Sequence, residues 1–439
     1  MFSLPDAITY ALRNNPRLRS ARAAIERARG LEQVAFSPFL PQVQFVGQLG
    51  DTSAAQGPGS PGITGYILSN GIGNHFYGQE IIQVQQLVCD FGRTGGRWRQ
   101  AVAREKIAEL QFVRADQTVA FDVATAYMNV LLARASRRVQ QDAIRLAESI
   151  LSDTRVRRKG GTVDRDAILR AEVQLAFSRS GLVNAREAEL DALARLNNTM
   201  GRNAACPLQV LDLESPPVSL PALAELLAKA AEQRPEIGLA RQVMVAANEG
   251  LRAIQGGFLP NIYVRGSSGR VDGTHVVSGW QEGAGLHLET PMYRGGALRG
   301  ELRAAEADVR SALADAQAIL DGISLDVSLA YRRVVAAVEL IELARVAVVQ
   351  AEDDVRLVQT KYRSGNATPT DIVEVETART RAQQNLYTAI YSQLAALARL
   401  SYALGLPQDA FLEKATTPTE EKKSSPEELP RPRELPEIK

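Results

Sequence analysis

Apolar and polar positions alternate with two different periods along this chain, and each period appears in two places. Helical patterning, rich in alanine with heptad-like apolar positions, occupies residues 4–35, 93–158 and 164–200, and again 221–255, 297–363 and 369–404. Over 39–87 and 258–292 the period falls to two. "QVQFVGQL" sets Val43, Phe45, Gly47 and Leu49 against Gln42, Gln44, Val46 and Gln48. "NIYVRG" sets Ile262, Val264 and Gly266 against Tyr263 and Arg265. "WQEGAGLHLET" sets Ala284, Leu286 and Leu288 against Gly283, Gly285, His287 and Glu289. The pattern predicts helix, β-hairpin, long helix and helix, twice over.

The two halves repeat one another. "FLPQVQFVG" at 39–47 matches "FLPNIYVRG" at 258–266, and Pro16 falls on Pro235. Farther on, Gly92 falls on Gly296, Tyr127 on Tyr331, Gly161 on Gly365, Glu172 on Glu376, and "ALARL" at 192–196 on "ALARL" at 396–400. The offset shrinks between Gly47 and Gly92, so the first half carries an insertion there. That segment holds "AQGPGSPGITGYILSNGIGN", which is loop chemistry. The chain therefore divides into a first repeat over 3–201, a linker over 202–220, a second repeat over 221–407 and a tail over 408–439. From about Thr416 the tail is rich in Pro, Glu, Lys and Ser, a composition that predicts disorder.

The long helices, 93–158 and 297–363, each span ~100 Å at 1.5 Å per residue, and the others span about half as much. Two short helices end to end match one long one, so the chain runs back beside its own rods. At the far end the chain turns over 159–165 and 364–369. Gly160, Gly161 and Gly365 accept the left-handed conformation that closes a helix. Thr368 reads as an N-cap, Pro369 as the first helical residue and Asp371 as its capping-box partner.

Charge adds little: 51 basic residues face 50 acidic ones, which gives no basic face for nucleic acid. No apolar run reaches the ~18–20 residues of a membrane-spanning helix. The best, "DVATAYMNVLLARA", is broken by Asp122, Asn129 and Arg134. No signal peptide is recognisable at "MFSLPDAITYAL". Cys89 and Cys206 are too few for a disulfide framework or a zinc site, and the helix lengths place them tens of Å apart. His75, His275 and His287 have no metal-ligand spacing, and no catalytic motif appears, so an enzyme is not expected and no cofactor is implied.

The aromatic residues do change the picture. Of 24 Phe, Trp and Tyr, 11 lie within 36–91 and 258–293, about a fifth of the chain. Phe36, Phe39, Tyr77, Phe258 and Tyr293 sit at strand ends, where the interfacial girdles of a transmembrane β-barrel belong. Four strands cannot close a barrel, so several chains would share one, and eight, twelve or sixteen strands all satisfy this. A soluble, elongated coiled-coil scaffold or interaction protein is the alternative that the helices alone allow.

With "FLP" opening the first strand of each half and a "YxxG" hairpin followed by acidic residues, the chain resembles the TolC-like outer membrane factors over about residues 3–407. The resemblance implies an α+β membrane protein: a long α-helical periplasmic barrel plus a trimeric twelve-stranded transmembrane β-barrel, four strands per chain, with an internal twofold repeat. It implies a homotrimer in the outer membrane of a Gram-negative bacterium, in contact with outer membrane lipid. The linker and C-terminal segment would form an equatorial collar. Implied partners are a periplasmic adaptor and an inner-membrane pump of RND, ABC or MFS type. The implied function is the exit duct of tripartite efflux or type I secretion.

For the site, the resemblance implies a periplasmic gate at Tyr362, Asp371 and Glu374, with Asp166 and Arg170 on the other hairpin. It implies an adaptor-docking tip at Gly160, Gly161, Gly365 and Thr368. Ala367 stands where some relatives carry an arginine, so their gating links do not transfer whole. Asp371 and Glu374 are equally well read as carboxylates favoured in a first helical turn. As a threefold ring they would attract cations, and their mutual repulsion would raise carboxylate pKa values.

Overall fold

The computed structural model of the chain describes residues 1–52, 75–161, 163–213, 220–273, 279–364 and 366–408. The Gly/Pro-rich loop of the first half, His275, Gly365 and the tail from 416 lie outside the described residues. Eight α-helices are described: α1 Leu4–Asn14, α2 Pro16–Phe36, α3 Arg93–Lys159, α4 Arg165–Thr199, α5 Leu223–Gln233, α6 Pro235–Gly256, α7 Ala297–Arg363 and α8 Pro369–Leu404. The strands are β1 Gln42–Thr52, β2 His75–Cys89, β3 Asn261–Gly273 and β4 Gly279–Glu289.

The first helix of each half, expected as one piece over 4–35 and 221–255, is broken in two. Asn15 and Arg234 are extended, with ψ of 127° and 124°, because each precedes a proline whose ring excludes the helical conformation. Asn15 turns the break to use: its side chain accepts from the Arg17 N–H, and its amide donates to the Thr199 carbonyl at 2.7 Å. The long helices begin at the same device in both halves, a left-handed glycine, Gly92 at φ 92° and Gly296 at φ 86°. Each then runs 67 residues without interruption, ~100 Å.

Packing sets a lateral order. Above the proline breaks the helices lie side by side as α2, α3, α6, α7. Below them the order is α4, α3, α8, α7. The strands form one antiparallel sheet in the order β1, β2, β3, β4. The two hairpins of the repeat are thus joined through β2 and β3, whose pairing runs from Tyr77–Gly273 to Cys89–Ile262.

The main core sits at the level of the proline breaks, around Tyr127, Met128 and Leu131 of α3, Leu196 of α4 and Leu394, Leu397 and Leu400 of α8. The N-terminus is stitched to the linker there: the Phe2 N–H donates to the Gln209 carbonyl at 2.9 Å and the Leu211 N–H to the Phe2 carbonyl at 3.1 Å. The Tyr127 hydroxyl points at the carbonyls of Leu211 and Phe2, 2.7 and 3.0 Å away. Burial pushes that phenol up to about 12. Cys89 and Cys206 are both free thiols.

Candidate functional site

The sheet places the alternating residues of all four strands on two common faces. Cross-strand partners share a face, and the register pairs Val43 with Val84, Phe45 with Ile82, Ile262 with Leu288, Val264 with Leu286 and Gly266 with Ala284. This face is open: Val43, Phe45, Leu49, Leu286 and Leu288 are each more than 60% exposed. From Leu288 to Ala284 it is apolar over ~13 Å along the strand. From the level of Glu282 onward, Glu80, Arg270, Asp272 and Glu282 share this face with Trp280 and Leu49. The apolar band therefore occupies the helix-proximal part of the strands. At its lower rim Phe36 and Phe39 each meet Trp98 edge to face and lie tilted against one another, with centroids 5.5–6.5 Å apart. The Trp98 indole N–H donates to Glu32.

The opposite face is polar. Gln42, Gln44, Gln48, Gln79, Gln83, Gln85, Tyr263, Arg265 and His287 share it. Val46, Ile81, Val271 and Leu87 interrupt these hydrogen-bonding groups, which otherwise suit a water-filled lumen.

At the other end of the rods, α3–α4 and α7–α8 turn side by side around a small apolar cluster of Ile150, Leu151, Ala171, Leu175 and Ile372. Tyr362 belongs to this cluster and is buried. Its hydroxyl lies 3.4 Å from the Thr154 hydroxyl on α3. The Arg157 guanidinium stacks over its ring at 4.0 Å and donates to its carbonyl at 2.7 Å. A single residue of α7 is thus gripped from α3 by two side chains, Thr154 and Arg157, neither of which the sequence reading singled out.

Asp166 and Arg170 come together as an ion pair of 3.2 Å on exposed α4, and Arg170 also donates to the Thr370 hydroxyl at 3.0 Å, bridging the two hairpins. Asp371 is not part of this link. It forms a capping box with Thr368, accepting the Thr368 N–H at 2.7 Å. That bond holds its carboxyl below the ordinary range, opposite to the rise expected for a repelling ring. Glu374 is exposed on the next turn. Gly161 adopts the left-handed conformation at φ 72°, while Gly160 stays at φ −80°.

The carboxyl that is pushed up is Glu376, 6% exposed between α7 and α8. Burial is the main cause, opposed by Arg379 at 3.5 Å and by a hydrogen bond from Gln359 at 3.4 Å. The repeat explains its weaker pairing. Its counterpart Glu172 meets Arg155 at 2.8 Å, and the residue matching Arg155 in the second half is the neutral Gln359. The sequence signal was the Glu172–Glu376 match; burial was not legible from it.

No helix among the described residues is long and apolar enough to cross a membrane. Among them no group of side chains could hold a metal ion.

Comparison with known proteins agrees with this geometry. The family described as "Outer membrane efflux protein" matches residues 7–202 and 226–406. Outer membrane protein TolC of Escherichia coli is 26% identical over 416 residues, covering 89% of this chain and 80% of TolC. Outer membrane efflux protein BepC of Brucella suis is 22% identical, covering 91% of this chain and 86% of BepC. Among solved structures, the outer membrane protein VceC of Vibrio cholerae superposes with a TM-score of 0.77 at 20% identity, covering 92% of this chain and 96% of VceC. With the model match spanning both repeats, this chain belongs to the outer membrane efflux protein family.

Proposed function

We propose that the protein is a trimeric outer-membrane exit duct, a passive conduit gated at its periplasmic tip, serving tripartite efflux or type I secretion. The observation that carries this reading is the matching of open edges. The sheet ends on β1 at one side and β4 at the other, and unpaired strand edges are not tolerated in lipid. The helices end on the same two sides, α2 and α4 beside β1, and α7 beside β4. Large apolar residues are left exposed along those edges: Leu169, Val173, Phe177 and Leu190 on α4, and Leu313, Leu320, Leu343 and Val346 on α7. One chain's β4 and α7 therefore fit the next chain's β1, α2 and α4 in a head-to-tail contact that closes as a ring. Three copies give twelve strands, the number that similarity to the family favours.

The tip residues then surround the periplasmic opening. Tyr362, held by Arg157 and Thr154, and Arg170, bridging to Thr370, tie the two hairpins of one chain. Asp371, Glu374 and Asp166 supply carboxylates around the axis. The turns at Gly160, Gly161, Gly365 and Thr368 form the surface an adaptor grips, and an inner-membrane pump of RND, ABC or MFS type supplies the drive. The test is reconstitution. The purified chain is expected to run as a trimer in mild detergent and to form cation-preferring pores in planar bilayers. A monomeric mass with no current would refute the shared barrel.

A further inference from the structure

Where the sheet meets the helices, on its polar face, lies a cavity of about 240 Å3 that neither barrel closure nor the tip accounts for. Gln85 and Tyr263 line it from the strands, Asn261 from the start of β3, and Arg93 and Arg97 from the first turns of α3. Neither arginine side chain has an ion pair or hydrogen bond among the described residues. Asp90 borders the cavity as well, but both its oxygens are taken by backbone: Oδ1 accepts from the Gly92 N–H at 3.2 Å and Oδ2 from the Thr94 N–H at 2.6 Å. A third cation stands beside them on the same face. Arg265 donates to the Gln85 side-chain oxygen at 3.0 Å and lies over the Tyr263 ring at 5.4 Å.

Two further observations set this place apart. Asn261 is 8% exposed, yet its side-chain oxygen finds no hydrogen-bond partner. A buried amide without a partner is costly, and turning it presents two N–H donors to the cavity instead. The arginines are also misplaced for stability, because cations are disfavoured at a helix N-terminus. The second repeat shows that the joint does not require them: Arg93 falls on Ala297, and Arg97 falls on Glu301, whose carboxylate approaches Arg294 at 4.0 Å. Local rules broken without a structural need mark functional positions.

We propose that this cavity binds an oxyanion, the carboxylate or phosphate group of a solute in the lumen. Guanidinium forks match such groups two bonds at a time. At a water's share of ~30 Å3, the volume holds a small oxyanion with several waters. A lipid phosphate would have to come from the opposite, apolar face. The site goes beyond the duct reading: it makes the neck of the barrel anion-attracting, at the far end from the acidic tip.

Inorganic pyrophosphate is the probe. Applied from the barrel side to the full chain in phosphatidylcholine bilayers, in potassium chloride, it is expected to block current. The same titration by calorimetry on detergent-solubilised protein reads binding without needing a current, so failure of the duct reading and failure of this site are told apart. Arg97→Gln should weaken block and binding at least ~10-fold, and Arg93→Gln with Arg97→Gln by ~100-fold. Conductance in potassium chloride should stay unchanged. Asn261→Asp, which puts a carboxylate into the cavity while leaving the arginines, should abolish both signals and carries the test if the double variant assembles poorly. Absence of pyrophosphate binding to the wild-type protein, or equal affinity in the arginine variants, would overturn the proposal.

Discussion

Arg157→Gln is expected to loosen the closed tip. The native guanidinium makes two contacts with Tyr362, a charged hydrogen bond to its carbonyl at 2.7 Å and a stack over its ring at 4.0 Å. A hydrogen bond to a charged group contributes about 1.5–3 kcal/mol and a cation–π contact about 0.5–2 kcal/mol. The side chain is partly exposed, so the lower ends apply, about 2 kcal/mol together. If both contacts break when α3 and α7 part, the open-to-closed ratio of one chain rises ~30-fold, and three chains opening together multiply the effect. Single-channel recording in planar bilayers reads this as a rise in open probability or mean conductance. Arg157→Lys keeps the charge but loses the planar fork, and should fall between wild type and glutamine. The reasoning fails if Arg157→Gln conducts as wild type while Tyr362→Ala opens the channel. Tyr362 would then act through the apolar cluster alone.

Three other outcomes follow from the same structure. Burial pushes the Glu376 carboxyl up, so the packed tip binds its proton more tightly than an open one; acid should tighten the tip as pH falls through the raised value, and higher pH should loosen it. Hydrogen exchange of tip peptides at pH 5 and 7.5 checks this, and Glu376→Gln should abolish the difference, as should Gln359→Arg by restoring the pairing seen at Glu172. Tyr127→Phe leaves the Leu211 carbonyl without its side-chain donor at a cost of about 1–3 kcal/mol, so exchange in 207–213 should speed ~5- to 150-fold while the middle of α3 stays protected. Asp371→Ala with Glu374→Ala should weaken cation preference and divalent block in bilayers; selectivity equal to wild type would leave these carboxylates as helix caps only.

Much of this protein was legible in its sequence because the signals are local. A period of 3.6 or 2, glycine at a left-handed turn and proline at a first helical position act through a few neighbouring residues, and the repeat doubled each signal. The long helices, the two hairpins and the apolar side of three of the four strands could therefore be read without a structure. The breaks at Pro16 and Pro235 were just as local, but the helical period continues across them and hid them. What remained depends on which segments meet. The order α4, α3, α8, α7 and the joining of β2 to β3 decide which edges stay open, and those pairings link residues some 200 apart. Arg157 became a partner of Tyr362 only when the α3–α4 and α7–α8 hairpins turned side by side. Glu376 and Glu172 look alike in sequence, yet one is buried beside Gln359 and the other pairs with Arg155 in solvent. Asp371 was read as both cap and gate, and a hydrogen bond to Thr368 put its charge on the helix end. Burial and pairing are properties of the assembled neighbourhood, so they set the chemistry of the tip and of the arginine-lined cavity only once the chain had folded.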